Sequence, residues 1–202
     1  MTNEQKQELI KALEAKGYNS IDARNVAYGD ETIALARYYE YCEKRIVLHD
    51  LFIGTYRMSQ KFGVNKPNYI KYGLQGHDGV DWACPTGTKL ISPVDGLVIS
   101  VAYHKGGYGT HIKILDLKQK CSVLMAHMKT VNVKLGQSVR IGQLVGLSDN
   151  TGNSTGSHLH FGLCQTNILG YRINRDNGFL GWINPLNNHI VKWVVSNPNN
   201  PL

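Results

Sequence analysis

The chain has 202 residues, a hydrophobic content of 42% and a formal net charge of +7 at pH 7. This length suits one domain of ordinary size with a small appendage, and no apolar run approaches the ~20 residues needed to cross a bilayer. The excess of lysine and arginine favours anionic partners such as nucleic acid, acidic membranes or cell-wall polymers. Because these residues are scattered rather than clustered, we expect no nucleic-acid partner.

Neither export by a signal peptide nor a disulfide framework is expected. The N-terminal residues 1–6 are polar and lack the apolar core and cleavage site of a secretory signal. The cysteines form no Cys-x-x-Cys pair, which argues against a structural zinc knot. We interpret them as buried or partly buried free thiols rather than disulfides, since nothing predicts an oxidising destination. These cysteines are Cys42, Cys84, Cys121 and Cys164.

Residues 1–48 show the spacing of a small helical appendage. Apolar stripes at helical spacing, polar capping residues and glycine stops predict its helices. They run over 2–16, from Ser20 to near Gly29, and from Glu31 to about Lys44. A unit of this size is marginal alone, so we expect it to dock on the main domain or on a partner.

From about His49 the pattern changes to short alternating runs separated by glycine, proline and asparagine. The predicted strands are Thr88–Ser92, Gly96–Tyr103, Thr110–Asp116, Ser122–His127, Ser138–Ile141, Leu144–Ser148 and His158–Cys164. Many short strands at this spacing predict a mainly β protein, an antiparallel sandwich or barrel-like fold. We therefore divide the chain into the helical appendage, a main domain over 49–190 and a C-terminal tail over 191–202.

The segment Ser157-His158-Leu159-His160-Phe161 alternates histidine with apolar residues. In a strand, positions i and i+2 point to the same face, so His158 and His160 would project side by side, roughly 6–7 Å apart. One imidazole could bind a metal while the other reaches a water or substrate held by that metal. The alternative is a pair of surface or core histidines with no shared role.

Two other segments offer ligands of the same kind. Gly76-His77-Asp78-Gly79-Val80-Asp81 places an imidazole and a carboxylate four positions apart, and Gly79 gives the backbone freedom between them. His127 stands at the end of an apolar strand. Neutral imidazoles with one carboxylate are typical ligands of a catalytic zinc. The helical His-Glu-x-x-His motif, a phosphate-binding glycine loop and a Gly-x-Ser-x-Gly elbow are all absent from the sequence.

Taken together and in order, these motifs resemble the M23 family of zinc metallopeptidases, the lysostaphin/LytM-type peptidoglycan endopeptidases. The resemblance covers roughly residues 56–187. The matching motifs are Gly76-His77-Asp78-Gly79-Val80-Asp81-Trp82-Ala83, Pro93-Val94-Asp95-Gly96, Gly106-Gly107-Tyr108-Gly109, Met125-Ala126-His127-Met128, Gly142-Gln143-Leu144-Val145-Gly146 and Ser157-His158-Leu159-His160-Phe161.

The resemblance implies a role for each matching residue. His77, Asp81 and His160 would bind Zn2+, and His127 with His158 would form a catalytic pair for proton transfer and oxyanion stabilisation. The glycine-rich loop with Gly107 and Tyr108 would lie beside the substrate cleft, although a simple hairpin turn explains it equally well. Tyr72, upstream of His77, would lie near the scissile carbonyl or serve only in packing.

The remaining candidates are not expected to be ligands. Asp78 follows His77 directly, and adjacent positions of an extended segment point to opposite sides, so we expect a solvated carboxylate there. Four histidines match no ligand of the family pattern and are interpreted as surface or packing residues. These are His49, His104, His111 and His189.

The function implied by the resemblance is a zinc-dependent endopeptidase that hydrolyses amide bonds in peptidoglycan stem peptides or cross-bridges. Its site of action would be the bacterial cell wall. Without a signal peptide, the chain would be a phage endolysin or virion-associated lysin, or an enzyme exported by another route. The alternative function is a non-catalytic wall-binding or scaffolding module that keeps the fold. The oligomeric state is open.

Overall fold

The computed structural model describes residues 1–15, 20–29, 45–167 and 169–196. The chain divides into two units. One comprises Met1–Val47 with Asn187–Lys192, and the other comprises Leu48–Leu186 with Trp193–Leu202. We call them the helical unit and the β unit. No helix in the described ranges has the length and apolar character needed to span a bilayer.

The helical unit contains α1 (Asn3–Ala15) and α2 (Ser20–Tyr28). Helix α1 begins with a reciprocal cap, because the Gln5 backbone N–H donates to the Thr2 hydroxyl (3.2 Å) and the Thr2 N–H donates to the Gln5 side chain (2.8 Å). Apolar residues of the two helices pack together, namely Leu9, Ile10, Leu13, Ala23 and Ala27. Both helices lie within two residues of their predicted bounds. The third predicted helix, Glu31 to Lys44, lies outside the described residues.

The strands β1 to β13 follow in chain order. They are β1 (Ile46–His49), β2 (Arg57–Gln60), β3 (Val80–Ala83), β4 (Lys89–Ile91), β5 (Gly96–His104), β6 (Gly109–Asp116), β7 (Cys121–Ala126), β8 (Met128–Val131), β9 (Ser138–Val139), β10 (Leu144–Ser148), β11 (His158–Gln165), β12 (Trp182–Ile183) and β13 (Val191–Val194). A short helix α3 (Lys66–Tyr69) and a 3-10 turn (Ile70–Tyr72) lie between β2 and β3.

The largest sheet has the strand order β2-β3-β11-β7-β6-β5-β9, with β12 also paired to β11. A smaller sheet has the order β4-β10-β8, and β1 pairs with β13. The neighbouring strands of the two larger sheets run antiparallel. The predicted mainly β, antiparallel fold is therefore confirmed.

The middle of the large sheet is buried on both faces. Every residue of β7 is buried, and so are the six residues 159–164 of β11. One face packs an aromatic cluster, in which the Trp82 ring centroid lies 6.4 Å from that of Phe161 and 6.3 Å from that of Trp193. Because side chains alternate along a strand, His158 and His160 of β11 project from the opposite face. The core thus fixes the strand from which the site residues project.

Several features differ from the predicted strands or extend them. Strands β1, β2, β3, β8, β12 and β13 were not predicted, and β13 falls in the stretch assigned to the C-terminal tail.

The described cysteines are free and buried, as expected: Cys84, Cys121 and Cys164. Cys42 lies outside the described residues.

Candidate metal centre

Three side chains meet on the face of the sheet opposite the aromatic cluster. Strands β3 and β11 run antiparallel with Asp81 opposite His160, so both side chains leave the same face next to each other. His77 stands four residues before Asp81, in the bend that leads into β3. His77 Nε2 lies 2.9 Å from His160 Nδ1 and 3.2 Å from Asp81 Oδ1. His160 Nδ1 lies 2.9 Å from the same carboxylate oxygen.

These three atoms have the spacing and chemistry of a metal donor set. A tetrahedral zinc with ligands at about 2.0–2.1 Å holds its donor atoms about 3.3 Å apart, close to the separations of 2.9–3.2 Å found here. Two imidazoles and one carboxylate also leave a fourth position open, as catalytic zinc sites do. His77, Asp81 and His160 are all buried. The residues present therefore fit a zinc ion.

The backbone fixes the tautomer of His77. Its Nδ1 lies 3.1 Å from the carbonyl oxygen of Lys61, an atom that can only accept, so Nδ1 carries the proton and Nε2 presents a lone pair to the cluster. The main chain of His77 is held as well. Its N–H donates to the Val64 carbonyl (2.9 Å), and its carbonyl accepts from the Gly63 N–H (2.8 Å).

The charge of Asp81 is stabilised within the cluster. Burial alone would raise the pKa of Asp81, but the hydrogen bond from His160 and the close imidazole of His77 outweigh it and hold the pKa well below its ordinary range. Burial would lower the pKa of His160, and the hydrogen bond and charge of Asp81 reverse this and raise it. The carboxylate is therefore ionised at neutral pH and available as an anionic ligand.

His127 follows β7 in a backbone conformation rarely adopted by a residue with a side chain, with φ of 59°. Three hydrogen bonds hold it there. Its N–H donates to the Tyr108 carbonyl (2.9 Å), and its carbonyl accepts from the Asp149 N–H (2.9 Å). Its Nδ1 donates to the Thr151 carbonyl (2.7 Å), which leaves Nε2 unprotonated. Burial lowers the pKa of His127 to about 4, so the ring is neutral at pH 7.

His158 opens β11 and is oriented by the loop before it. Its Nδ1 lies 2.8 Å from the Gly156 carbonyl, to which it donates, and 3.1 Å from the Ser154 hydroxyl oxygen. Its Nε2 is 3.7 Å from Asp81 Oδ2. The ring centroids of His127 and His158 are 4.6 Å apart. The two imidazoles therefore stand side by side, directly beside the candidate metal ligands.

Comparison with known proteins places this geometry in a family. Residues 75–173 match the model of peptidase family M23. The chain carries an M23 peptidase domain. An uncharacterized metalloprotease of Haemophilus influenzae is 39% identical over 105 residues, which are 52% of this chain and 22% of that protein. The peptidoglycan DD-endopeptidase ShyA of Vibrio cholerae is 32% identical over 108 residues, which are 54% of this chain and 25% of that protein.

Solved structures show the same fold. The catalytic domain of the prophage-encoded M23 protein EnpA from Enterococcus faecalis superposes with a TM-score of 0.51 at 30% identity, covering 64% of this chain and 96% of that one. The curated relatives are much longer, since this chain matches 22% to 29% of the length of those just cited and of a similar Buchnera aphidicola protein. The similarity therefore extends over one domain of these longer proteins.

Two loops of the M23 domain meet beside His127. The loop over 105–109 and the loop over 149–157 approach so closely that a Cβ on Gly109 would lie 2.4 Å from the backbone of Thr151. A Cβ on Gly152 would lie 2.2 Å from the Gly109 nitrogen. Both glycines have positive φ, 59° and 80°. The Asn153 N–H also donates to the Gly107 carbonyl (2.8 Å).

The three residues predicted to bind substrate occupy different environments in the M23 domain. Tyr72 is 42% exposed, and its hydroxyl lies 3.5 Å from Asn153 Nδ2. Gly107 is half-buried at the junction of the two loops. Tyr108 is also half-buried, and its ring centroid lies 5.4 Å from that of His160.

The prediction of a solvated Asp78 was wrong. Asp78 is 4% exposed, and one of its oxygens accepts a hydrogen bond from the Tyr108 hydroxyl. The prediction assumed an extended chain, whereas residues 75–79 form a bend before β3 begins, so the alternation of a strand does not apply. The sequence singled out Asp78 for its place beside His77, but no pattern predicted its burial.

Asp78 also belongs to a second potential donor group. Ligand atoms of His77, Asp78 and His160 lie within 4.8 Å of one another. We favour Asp81 as the ligand because its Oδ1 is within 3.2 Å of both imidazoles. Asp78 Oδ1 is instead 3.8 Å from Nε2 of His160, the nitrogen on the other side of that ring.

The remaining histidines lie outside this cluster. His104 is exposed at the end of β5, where its ring lies beside Gly107. His111 is buried, with Nδ1 2.9 Å from the Gly109 carbonyl, and burial lowers its pKa. His49 and His189 are half-buried.

Proposed function

We propose that this chain is a zinc-dependent endopeptidase that hydrolyses amide bonds in the stem peptides or cross-bridges of peptidoglycan. The observation that carries the proposal is the convergence of three donor atoms from His77, Asp81 and His160 within 3.2 Å of one another. The name of the Vibrio relative, a peptidoglycan DD-endopeptidase, supports the substrate class. The net charge of +7 suits the anionic polymers of a bacterial wall, where the enzyme would act.

His77 Nε2, Asp81 Oδ1 and His160 Nδ1 would hold the ion. When bound, zinc would supply a Lewis acid that polarises a carbonyl oxygen and lowers the pKa of water. The protein supplies a buried cluster in which the Lys61 carbonyl fixes the ring of His77. Burial also limits competing solvent around the ligands.

His127 and His158 would transfer the proton from the attacking water to the leaving amine. Each ring donates from Nδ1 to a backbone carbonyl, so each presents an unprotonated Nε2. As water adds to the scissile carbonyl carbon, its proton passes to an imidazole of this pair. The same proton then passes to the amine nitrogen as the C–N bond breaks. The imidazolium formed in between also stabilises the negative charge on the carbonyl oxygen.

Tyr72 and the backbone around Gly107 remain our candidates for contact with the peptide. Tyr72 is exposed and reaches toward Asn153 of the neighbouring loop, which gives it the access that a substrate-binding side chain needs. The hydroxyl of Tyr108 donates its hydrogen bond to Asp78, so we assign Tyr108 no direct contact with substrate.

The direct test is release of free amines from purified peptidoglycan, with and without a chelator, followed by mass analysis of the fragments. We expect release that stops on chelation and returns when zinc is restored. The new amino termini would identify the peptide bond that is cleaved. Release unaffected by complete removal of metal would contradict the proposal. Zinc binding without release from any wall type would favour the non-catalytic wall-binding module.

A further inference from the structure

One buried nitrogen of the candidate metal cluster lacks a partner. His160 Nδ1 faces His77 and Asp81, whereas its Nε2, on the other side of the ring, is buried and has no hydrogen-bond partner among the described residues. When Nδ1 donates its lone pair to a metal, the neutral ring must carry its proton on Nε2. A buried N–H without an acceptor destabilises the folded state, so we expect an acceptor near this nitrogen.

Asp78 is the acidic group that faces this nitrogen. Its Oδ1 lies 3.8 Å from His160 Nε2, and a shift of about 1 Å brings the pair to hydrogen-bond length. Asp78 is itself buried, so its charge needs hydrogen-bond donors around it. The described ion pairs of Asp78 are made with this histidine alone.

Tyr108 holds Asp78 from the other side. Its hydroxyl donates to Asp78 Oδ2. A tyrosine hydroxyl is protonated at neutral pH, and a carboxylate oxygen can only accept, so Tyr108 is the donor. The Tyr108 ring also packs against His160, and its carbonyl accepts the N–H of His127.

We infer that Asp78 and Tyr108 are positioning residues of the metal centre. Asp78 accepts the Nε2–H of His160 and thereby keeps Nδ1 turned toward the metal, and Tyr108 keeps Asp78 in place. The inference rests on the proposed zinc site and adds residues that do not bind the ion themselves. A carboxylate paired with the far nitrogen of a ligating histidine raises the basicity of that ligand and fixes its orientation.

The test is zinc affinity, measured by competition with a chromophoric chelator on the full chain. Asp78→Asn keeps the size of the side chain and removes the charge. We expect it to bind zinc between about 10- and 100-fold more weakly, the range found for such outer partners. Tyr108→Phe should weaken binding less. Because Tyr108 acts through Asp78, the double variant should bind zinc no more weakly than Asp78→Asn alone.

Asp116→Asn is the matched control. Asp116 is also a buried carboxylate, but it accepts hydrogen bonds from Gln119 at the β6–β7 turn. We expect this variant to bind zinc as the wild type does. Thermal unfolding of each metal-free variant identifies any that fails to fold, and in that case Tyr108→Phe carries the test.

The absorption of the cobalt(II) protein separates a positioning role from direct ligation. Under our inference Asp78→Asn leaves the ligand-field bands close to those of the wild type, whereas Asp81→Asn changes them. Asp78→Asn with unchanged zinc affinity would overturn the inference, and so would a cobalt spectrum altered as strongly as that of Asp81→Asn. A wild-type chain that binds no zinc would overturn the proposed function itself, and the inference with it.

Discussion

At the scale of single residues, backbone carbonyls restrict three imidazoles of the candidate centre to one tautomer each. His77, His127 and His158 each place Nδ1 against a backbone carbonyl, so each turns an unprotonated Nε2 toward the centre. His127 is held in a left-handed backbone conformation, which costs of order 1–3 kcal/mol. Strain of this size persists only where the surroundings enforce it, and here hydrogen bonds to Tyr108, Asp149 and Thr151 do so.

His158→Ala should separate proton transfer from metal binding. We expect amide hydrolysis to fall by about 10²–10⁴-fold, the contribution typical of a positioned acid or base, because the Nε2 beside Asp81 is lost. The zinc content should stay at the wild-type value, since His158 is not among the three donors. Amine release and metal content, measured on the same preparation, check both expectations.

His49→Ala is the control for this variant, because His49 lies on β1, outside the cluster. Its activity should match that of the wild type. Hydrolysis that survives in His158→Ala would remove this residue from the catalytic pair.

At the scale of elements, every strand that the sequence missed has four residues or fewer, namely β1, β2, β3, β8, β12 and β13. Strands β5, β6, β10 and β11 were found because apolar and polar residues alternate in them or turn residues bound them. Strand β3, which carries Asp81, has four residues with no alternation in burial. Propensity gives little signal over so short a stretch. The local spacing of His77 and Asp81 offered this carboxylate only as one candidate, and the family resemblance made it a predicted ligand.

The meeting of the site residues depends on strand register, which a pattern along the chain does not predict. His77 and His160 are separated by 83 positions, and their contact depends on β3 pairing with β11 so that Asp81 lies opposite His160. Periodicity correctly put His158 and His160 on one face, but it carries no information about which strand pairs beside them. The error at Asp78 has the same origin, since a bend replaced the assumed extended chain.

Gly79→Ala tests how closely this pairing must be kept. The sequence suggested backbone freedom at Gly79, but the structure requires space. A Cβ there would lie 2.5 Å from the Phe161 carbonyl oxygen and 2.6 Å from His160 Cε1. We expect about 1–3 kcal/mol of destabilisation, as for other overpacked sites. Zinc binding should also weaken, because His160 must move. Urea unfolding and chelator competition provide the two measurements.

Gly106→Ala serves as the comparison, since a Cβ at that position meets nothing within 4 Å. It should retain the stability and zinc affinity of the wild type. Equal behaviour of the two alanine variants would mean that the β3–β11 contact adjusts without cost.

At the scale of the whole molecule, buried histidines should make stability depend on pH. Burial lowers the pKa of His111 below its ordinary value, so between these two values the unfolded chain binds the proton more readily than the folded one. The contribution of His111 to the free energy of unfolding should therefore fall as pH decreases below about 6.5. In His111→Gln this contribution is absent, and the slope of stability against pH should be shallower.

Urea unfolding at a series of pH values between 7.5 and 5, with chelator present throughout, measures both slopes without competition between metal and protons. Other titrating groups, including His127, are common to both proteins and cancel in the comparison. Identical slopes for wild type and His111→Gln would show that His111 is protonated without penalty in the folded state.

Metal removal should lower the stability of the β unit, because the proposed donors come from two parts of it that are far apart in sequence. His77 lies in the bend before β3, Asp81 on β3 and His160 on β11, so one ion would tie that bend to two strands of the central sheet. A ligand bound only by the folded state raises the free energy of unfolding by about 2.7 kcal/mol when present at 100 times its Kd. We therefore expect added zinc to raise the Tm of the metal-free chain and a chelator to reverse the change. The rise should persist in His158→Ala, which keeps all three donors, and vanish in Asp81→Ala, which loses one. A rise that survives in Asp81→Ala would mean that the stabilising ion binds elsewhere, because the donor set defined by register between β3 and β11 cannot be completed without that side chain.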